Sequence, residues 1–167
     1  MLASIRCLLL AFLLAPSLAA AAEPRAARVH VDKSERKLTV YDASGEVIAS
    51  FNAGFGLRPA GHKQRQGDKR TPEGKYVLDY KNPNSAYYRS IHVSYPNAVD
   101  RARARREGVD PGGDIMVHGQ PNDPRVARAI ALWPSPDWTD GCISLSNADM
   151  KRLWEMVEVP VPIEIVP

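Results

Sequence analysis

A chain of 167 residues, 44% hydrophobic and 25% charged, has the composition of one globular domain rather than of a disordered or collagenous segment. A net charge of only +3 leaves no electrostatic footprint for nucleic acid. Two cysteines, Cys7 and Cys142, exclude a disulfide-built scaffold.

Residues 1–22 read as an export signal: Arg6 is a short basic region, 8–14 are apolar throughout, and Ala20, Ala21 and Ala22 offer small residues for cleavage. Pro16 and Ser17 interrupt the apolar run short of the roughly 20 residues that a membrane span requires, so a leader removed near Ala22 is preferred to a retained anchor, with no stable membrane insertion afterwards. The remaining domain, 23–167, is about 145 residues long, enough to bury a core without disulfides. Its charge is nearly balanced once Arg6 is gone. The chain's 14 prolines and 11 glycines cut it into short segments, which argues against a helical bundle and for a β-rich fold with long loops.

Segments 28–32, 37–42 and 46–51 are alternating or β-branched, and Ser34-Glu35-Arg36 and Ala43-Ser44-Gly45 make the turns of a meander. Segments 75–80, 91–94 and 114–118 predict further strands, the last ending on His118-Gly119. The connection 96–113 carries Arg101, Arg103, Arg105 and Arg106, a solvated basic face in the first reading and a contact for carboxylates in the second. Asp123 as N-cap and Pro124 at the first helical position predict a short helix over 124–132. Ser146 caps a second helix through Val157, with Asp149 completing a capping box and Met150, Leu153, Trp154 and Val157 as its apolar stripe. Segment 161–166 closes the chain as a strand, giving a mostly β fold with two short helices.

With Cys7 removed in the leader, Cys142 is a lone thiol, and such a residue is an inert packing group, an intermolecular link or a nucleophile. Cysteine is in general among the most buried residue types. Gly141 before it permits a tight turn that exposes the sulfur and turns backbone N–H groups toward a developing oxyanion, and His118 supplies a base that stabilises a thiolate. These features favour the nucleophile. His30, His62 and His92 have no ligand-like spacing and read as surface or strand histidines, so no metal site is assigned. Gly54-Phe55-Gly56 and Gly61 could cradle a phosphate, but no Gly-Lys-Ser/Thr follows, and turn chemistry is the simpler reading. Arg70 and Thr71 are candidates for ordering the site from a polar loop. Trp138 is placed against the pocket and Trp154 in the core, while Trp133 has no assignment.

Three ordered segments, Gly67-Asp68-Lys69-Arg70-Thr71-Pro72-Glu73-Gly74-Lys75-Tyr76, Asp114-Ile115-Met116-Val117-His118-Gly119 and Thr139-Asp140-Gly141-Cys142-Ile143-Ser144-Leu145, resemble the L,D-transpeptidase (YkuD-type) catalytic domain. The resemblance spans roughly 28–166. It implies a β-sandwich-like fold whose cysteine attacks peptidoglycan stem peptides at the carbonyl of the third stem residue and releases the terminal D-alanine. An amine or water then resolves the thioester. Carried over, Cys142 is the nucleophile, His118 the general base and later acid, Gly141 and Cys142 the oxyanion donors, and Gly119 the residue that follows the histidine. Thr139, Ser144, Trp138 and Arg70 are the substrate-side candidates. Neither a metal nor an organic cofactor is implied.

The chain departs from the Ser/Thr-His-Gly-Cys pattern of many members by carrying Asp140 in place of the histidine, and Ser144 stands where many have arginine or asparagine. It looks like a branch of small periplasmic members in which His118 carries the proton chemistry alone, with Asp140 orienting a neighbour or shaping the acceptor site. A carboxylate beside a thiolate raises the thiol pKa unless it is paired. Some members of that branch are thought to remove an outer-membrane lipoprotein from the wall, so hydrolysis stands as the alternative to cross-linking. A non-catalytic wall-binding module is the reading from another class. Periplasmic localisation, peptidoglycan stems and a wall-attached lipoprotein are the expectations that follow.

Overall fold

The computed structural model describes residues 24–167, and the export-signal reading of residues 1–22 lies outside the described residues. The strands are β1 (Arg28–Asp32), β2 (Lys37–Tyr41), β3 (Val47–Asn52), β4 (Gly74–Asn82), β5 (Ser90–Val93), β6 (Met116–His118), β7 (Ile143–Ser144) and β8 (Val161–Val166). The helices are α1 (Ala98–Glu107), α2 (Pro124–Ala131) and α3 (Asn147–Met156). The β-rich expectation holds, with one helix more than the two read from the sequence.

The meander forms as predicted: Val29 and Val31 of β1, Leu38 and Val40 of β2 and Phe51 of β3 turn one face inward while their neighbours face out. All eight strands join one sheet in the order β3-β2-β1-β8-β4-β5-β6-β7. Instead of two separate layers, this sheet curls until its ends meet. Beyond β3, Gly54 donates its N–H to Ser144 O at 2.9 Å and accepts from Ser144 N–H at 2.8 Å, bridging to β7. The C-terminal β8 lies in the middle, parallel to β1 and antiparallel to β4. Pro162 is tolerated there because its partner Val77 turns its own N–H and carbonyl to Ser94, so no β4 ladder bond is lost.

Helix α3 covers the inner face with Met150, Leu153 and Met156, against Ile163, Ile165, Leu78 and Ile91 in the core. Ser146 caps it by accepting Asp149 N–H at 3.1 Å, but Asp149 takes the Ser146 hydroxyl at 2.8 Å instead of the Ser146 backbone N–H, so the capping box is half formed. Trp154 lies at the core's edge, only partly buried, with Lys81 Nζ 4.8 Å from its ring centroid. Helix α1 forms inside what the sequence reads as a long basic connection. Asn97 caps it with a complete capping box to Asp100, while only Asp100 and Ala104 are buried, so no apolar stripe announces it. Helix α2 buries no residue. No helix of the described residues is long and apolar enough to cross a membrane.

Candidate active site

Cys142 sits on the turn that leads into β7, where three backbone approaches leave no room for side chains. Gly141 has φ +136°, and a Cβ there would stand 2.6 Å from Arg70 O. A Cβ on Gly56 would collide with Lys69 O, and one on Gly54 with Pro136 O. The Gly54-Phe55-Gly56 run therefore serves close backbone packing. Thr139 closes the turn: its hydroxyl donates to Cys142 O at 2.7 Å and accepts Gly141 N–H at 3.1 Å. Buried Asp137 anchors the preceding loop by accepting Phe55 N–H at 2.9 Å and an Arg36 guanidinium N–H at 2.6 Å.

The Cys142 sulfur lies against the start of β6, accepting Met116 N–H at 3.4 Å and donating to Asp114 O at 3.6 Å. His118, at the other end of β6, is 3% exposed. Its Nδ1 lies 2.7 Å from Gly119 O, and a carbonyl only accepts, so Nδ1 carries the proton and Nε2 is left with the lone pair. Tyr87 covers the imidazole with ring centroids 4.7 Å apart, and Trp138 meets it edge-on at 5.5 Å. Cys142, His118, Tyr87, Trp138, Asp114 and Asp140 line one cleft of about 510 Å³. A second, more open groove of about 600 Å³ adjoins it across Trp138 and Ile130, with Trp133 and Pro136 on its far side.

Burial pushes the His118 pKa below the usual histidine range, against the opposing pull of the Gly119 carbonyl. Burial pushes the Cys142 thiol up; Met116 N–H and Lys63 oppose this, while Asp140 and Asp114 add to it. Burial thus works against the charged form of both groups. Asp140 does have a cationic partner, Lys69 Nζ at 2.6 Å, but their side chains are 77% and 39% exposed and the pair is solvent-screened.

Of the residues singled out in the sequence, Cys142, His118, Thr139, Asp140 and Trp138 come together in the cleft. Ser144 does not: it is buried in the bridge to Gly54 and faces the adjoining groove. Gly119 is packed where a Cβ would meet Asn147 Oδ1 at 2.5 Å, and its N–H is shared by Tyr87 O and Arg89 O. The Arg70 guanidinium turns to Gly61 and His62 O, so Arg70 supports the turn through its carbonyl and not the cleft through its charge. Gly141 N–H is committed to Thr139, whereas Cys142 N–H has no acceptor among the described residues. Thr71 is fully buried and accepts Gly56 N–H at 3.0 Å. His62 is no surface histidine; its ring bridges Glu73 N–H and the Asp100 carboxylate. Sequence reasoning missed Tyr87 and Asp137, which no local pattern distinguishes from ordinary loop residues, and gave no role to Asp114 although it opens the segment that ends on His118-Gly119. Among the described residues no group of three or more His, Cys, Asp or Glu side chains is placed to hold a metal.

A cysteine on the turn into one strand and a histidine on the adjoining strand of a curled β sheet, with glycine before the sulfur and one cleft lined by both, define a domain of the L,D-transpeptidase type. The chain belongs to the YkuD family, the L,D-transpeptidase catalytic domain, whose model matches residues 26–165. It is 35% identical over 139 residues to YafK of Escherichia coli (strain K12), an L,D-transpeptidase by provisional name, covering 77% of this chain and 46% of that protein. The chain thus spans about half the length of the curated relatives it matches. Among solved structures, the helical cell shape determining protein Pgp2 of Campylobacter jejuni superposes with a TM-score of 0.65 at 28% identity, over 86% of this chain and 48% of Pgp2. Bd1075 of Bdellovibrio bacteriovorus gives a TM-score of 0.58 at 27% identity, over 86% of this chain and 48% of that one. An L,D-transpeptidase from Xylanimonas cellulosilytica, at 18% identity and a TM-score of 0.55 over 87% of this chain and 62% of that one, shares the fold.

Proposed function

We propose that the protein is an exported cysteine L,D-transpeptidase that acts on peptidoglycan stem peptides in the periplasm through a thioacyl intermediate. The observation that carries this reading is the shared cleft of a half-buried thiol and an imidazole whose Nδ1–H is fixed on Gly119 O. A neutral His118 is poised to accept a proton, and a thiol kept protonated by burial needs that acceptor at the moment of attack.

In the proposed reaction Cys142 Sγ attacks the stem carbonyl while His118 Nε2 takes its proton. Negative charge on the carbonyl oxygen is met by the uncommitted Cys142 N–H, Gly141 N–H being already engaged. His118 returns the proton to the leaving amine of the terminal D-amino acid, and the thioester remains. An amine, its proton taken by His118, then forms a new peptide bond and frees the thiol. Water at the same step gives hydrolysis, and where the amine that leaves in the first step belongs to a wall-attached lipoprotein, the two steps together release it. Tyr87 and Trp138 fix the imidazole plane by packing on it. Asp114 and Asp140 make the mouth of the cleft acidic, which suits an incoming ammonium group.

The test is incubation of the protein and its Cys142→Ala variant with purified sacculi, bare and lipoprotein-bearing, followed by mass spectrometry of the muropeptides. New cross-linked dimers or D-amino-acid exchange that depend on Cys142 support the transpeptidase. Cys142-dependent release of lipoprotein or shortened stems without new bonds replaces it by the hydrolase. Identical products from the two proteins overturn both and leave a wall-binding module.

A further inference from the structure

A buried polar network away from the cleft ties helix α1 to the loop 57–73. Asp100 of α1 is buried; one carboxylate oxygen accepts from His62 Nε2 at 3.0 Å, and the other from Tyr76 hydroxyl and Asn97 N–H, each at 3.0 Å. His62 Nδ1 accepts Glu73 N–H at 2.9 Å, which places the ring proton on Nε2, toward Asp100. Arg103, one turn along α1, donates to Lys63 O at 2.9 Å. The loop is therefore held to the helix at two successive residues, and it is stiff beyond them. Lys63 Nζ and the N–H groups of Gln64, Arg65 and Arg70 converge on Asp68; burial alone would raise this carboxyl, but those donors outweigh it and hold its pKa down to about 2.

The far end of the same loop forms the floor of the Cys142 turn. Arg70 O stands against Gly141, Thr71 Oγ1 holds Gly56 N–H, and a Cβ on Gly56 would lie 3.2 Å from Gly141 Cα. The approaches of Arg70 O and Gly56 to Gly141 are backbone on backbone, with no side chain to absorb a shift, and the Thr71 hydroxyl ties Gly56 to the same loop, so a displacement of 69–71 moves the turn itself. Lys69 adds its ion pair to Asp140.

We propose that His62, held by Asp100, is a positioning residue: through the loop 57–73 it sets the place of the Gly141–Cys142 turn, and α1 thereby governs the reactivity of the thiol. The turnover consequence rests on the function proposed above, while the thiol consequence does not. The groups acting on the sulfur are Asp114, through its carbonyl and its carboxylate, and Met116 N–H from the start of β6, His118 from its end, Asp140 on its own turn, itself paired with Lys69, and Lys63 from the loop. Burial is the largest influence holding the thiol protonated, so loosening the loop admits water, makes the sulfur more reactive and misplaces it for catalysis.

Two substitutions divide the roles of His62. His62→Asn keeps a carbonyl near the place of Nδ1 for Glu73 N–H but does not reach Asp100, whereas His62→Gln keeps an amide donor for Asp100 and abandons Glu73. The experiment is iodoacetamide alkylation of Cys142 as a function of pH, read by intact-protein mass spectrometry beside the melting temperature and turnover on sacculi. His62→Asn is expected to be alkylated at least about threefold faster near pH 7, with its profile moved to lower pH, while turnover falls about tenfold. His62→Gln should lie nearer the unsubstituted protein in both. The proposal is overturned if His62→Asn is alkylated within about 1.5-fold of the unsubstituted protein throughout, or if His62→Gln shifts as far as His62→Asn. Arg103→Met, which cuts the tie to Lys63 O and leaves His62 in place, carries the same test if His62→Asn does not melt cooperatively: faster alkylation supports the coupling and an unchanged profile refutes it. Should no form turn over sacculi, the alkylation comparison still decides the coupling, and the failure belongs to the proposed reaction.

Discussion

Replacing Gly141 by alanine adds one methyl group at the most crowded point of the Cys142 turn. The backbone there has φ +136°, a region that costs a residue with a Cβ about 1–3 kcal/mol. The new carbon would stand 2.6 Å from Arg70 O and 3.3 Å from Ile115 Cδ1, and the first is a backbone atom that no rotamer change can remove. Relief therefore comes from moving the turn, and the total cost should be about 2–4 kcal/mol. For a domain of this size that lowers the melting temperature by about 4–16 °C. A shift of the sulfur by about 1 Å should reduce turnover on sacculi about 100-fold, well beyond what the loss of stability causes at 25 °C. Calorimetry and muropeptide mass spectrometry on Gly141→Ala read the two effects separately. A variant that melts like the parent and turns over within about threefold of it would refute the close-approach reasoning.

Acidification should destabilise the fold through its two histidines of lowered pKa, His62 and His118, because the unfolded chain takes up their protons first. The stability is present above about pH 6.5 and is lost as pH falls through the lower folded values, and His118→Gln should flatten this part of a plot of melting temperature against pH. Turnover should follow a bell: the acid limb marks protonation of His118, displaced below the ordinary histidine value, and the alkaline limb marks loss of the thiol proton above the ordinary cysteine value. Asp137→Ala strands Phe55 N–H and should cost about 2–4 kcal/mol in urea unfolding, whereas Asp123→Ala, at an exposed cap, should cost about 1 kcal/mol. Asp140→Asn should move the alkylation profile of Cys142 to lower pH and Lys69→Ala to higher pH, since one removes a charge that opposes the thiolate and the other leaves that charge unpaired.

How much of this was legible in the sequence depends on how local each feature is. The meander, β8 and α3 follow from alternation and an apolar stripe in the sequence itself. Strand β7 is two residues long and has no period to detect; it exists because β6 lies on one side and Gly54 on the other. Helix α1 has charged residues all round and a capping box whose acid is at once the acceptor for His62, so a polar run hid a structural helix. The joining of all strands into one curled sheet depends on pairings between residues far apart in the chain, such as Val29 with Ile163, which no window along the sequence contains. Likewise Cys142 and His118 stood out through their neighbours in sequence. Tyr87 and Asp137 matter only through their neighbours in space.

The central place of β8 bears on when the molecule can fold. Strand β1 pairs in parallel with residues 163–166 of β8, and β4 pairs with residues 161–165 from the other side. Until they arrive, β1 and β4 each present an open edge, and the two halves of the sheet are bridged only at the opposite end, through Gly54 and Ser144. A chain emerging N-terminus first thus carries no finished sheet before β8 is available. Strand β8 acts as a latch: the sheet cannot close before Val161–Val166 is available.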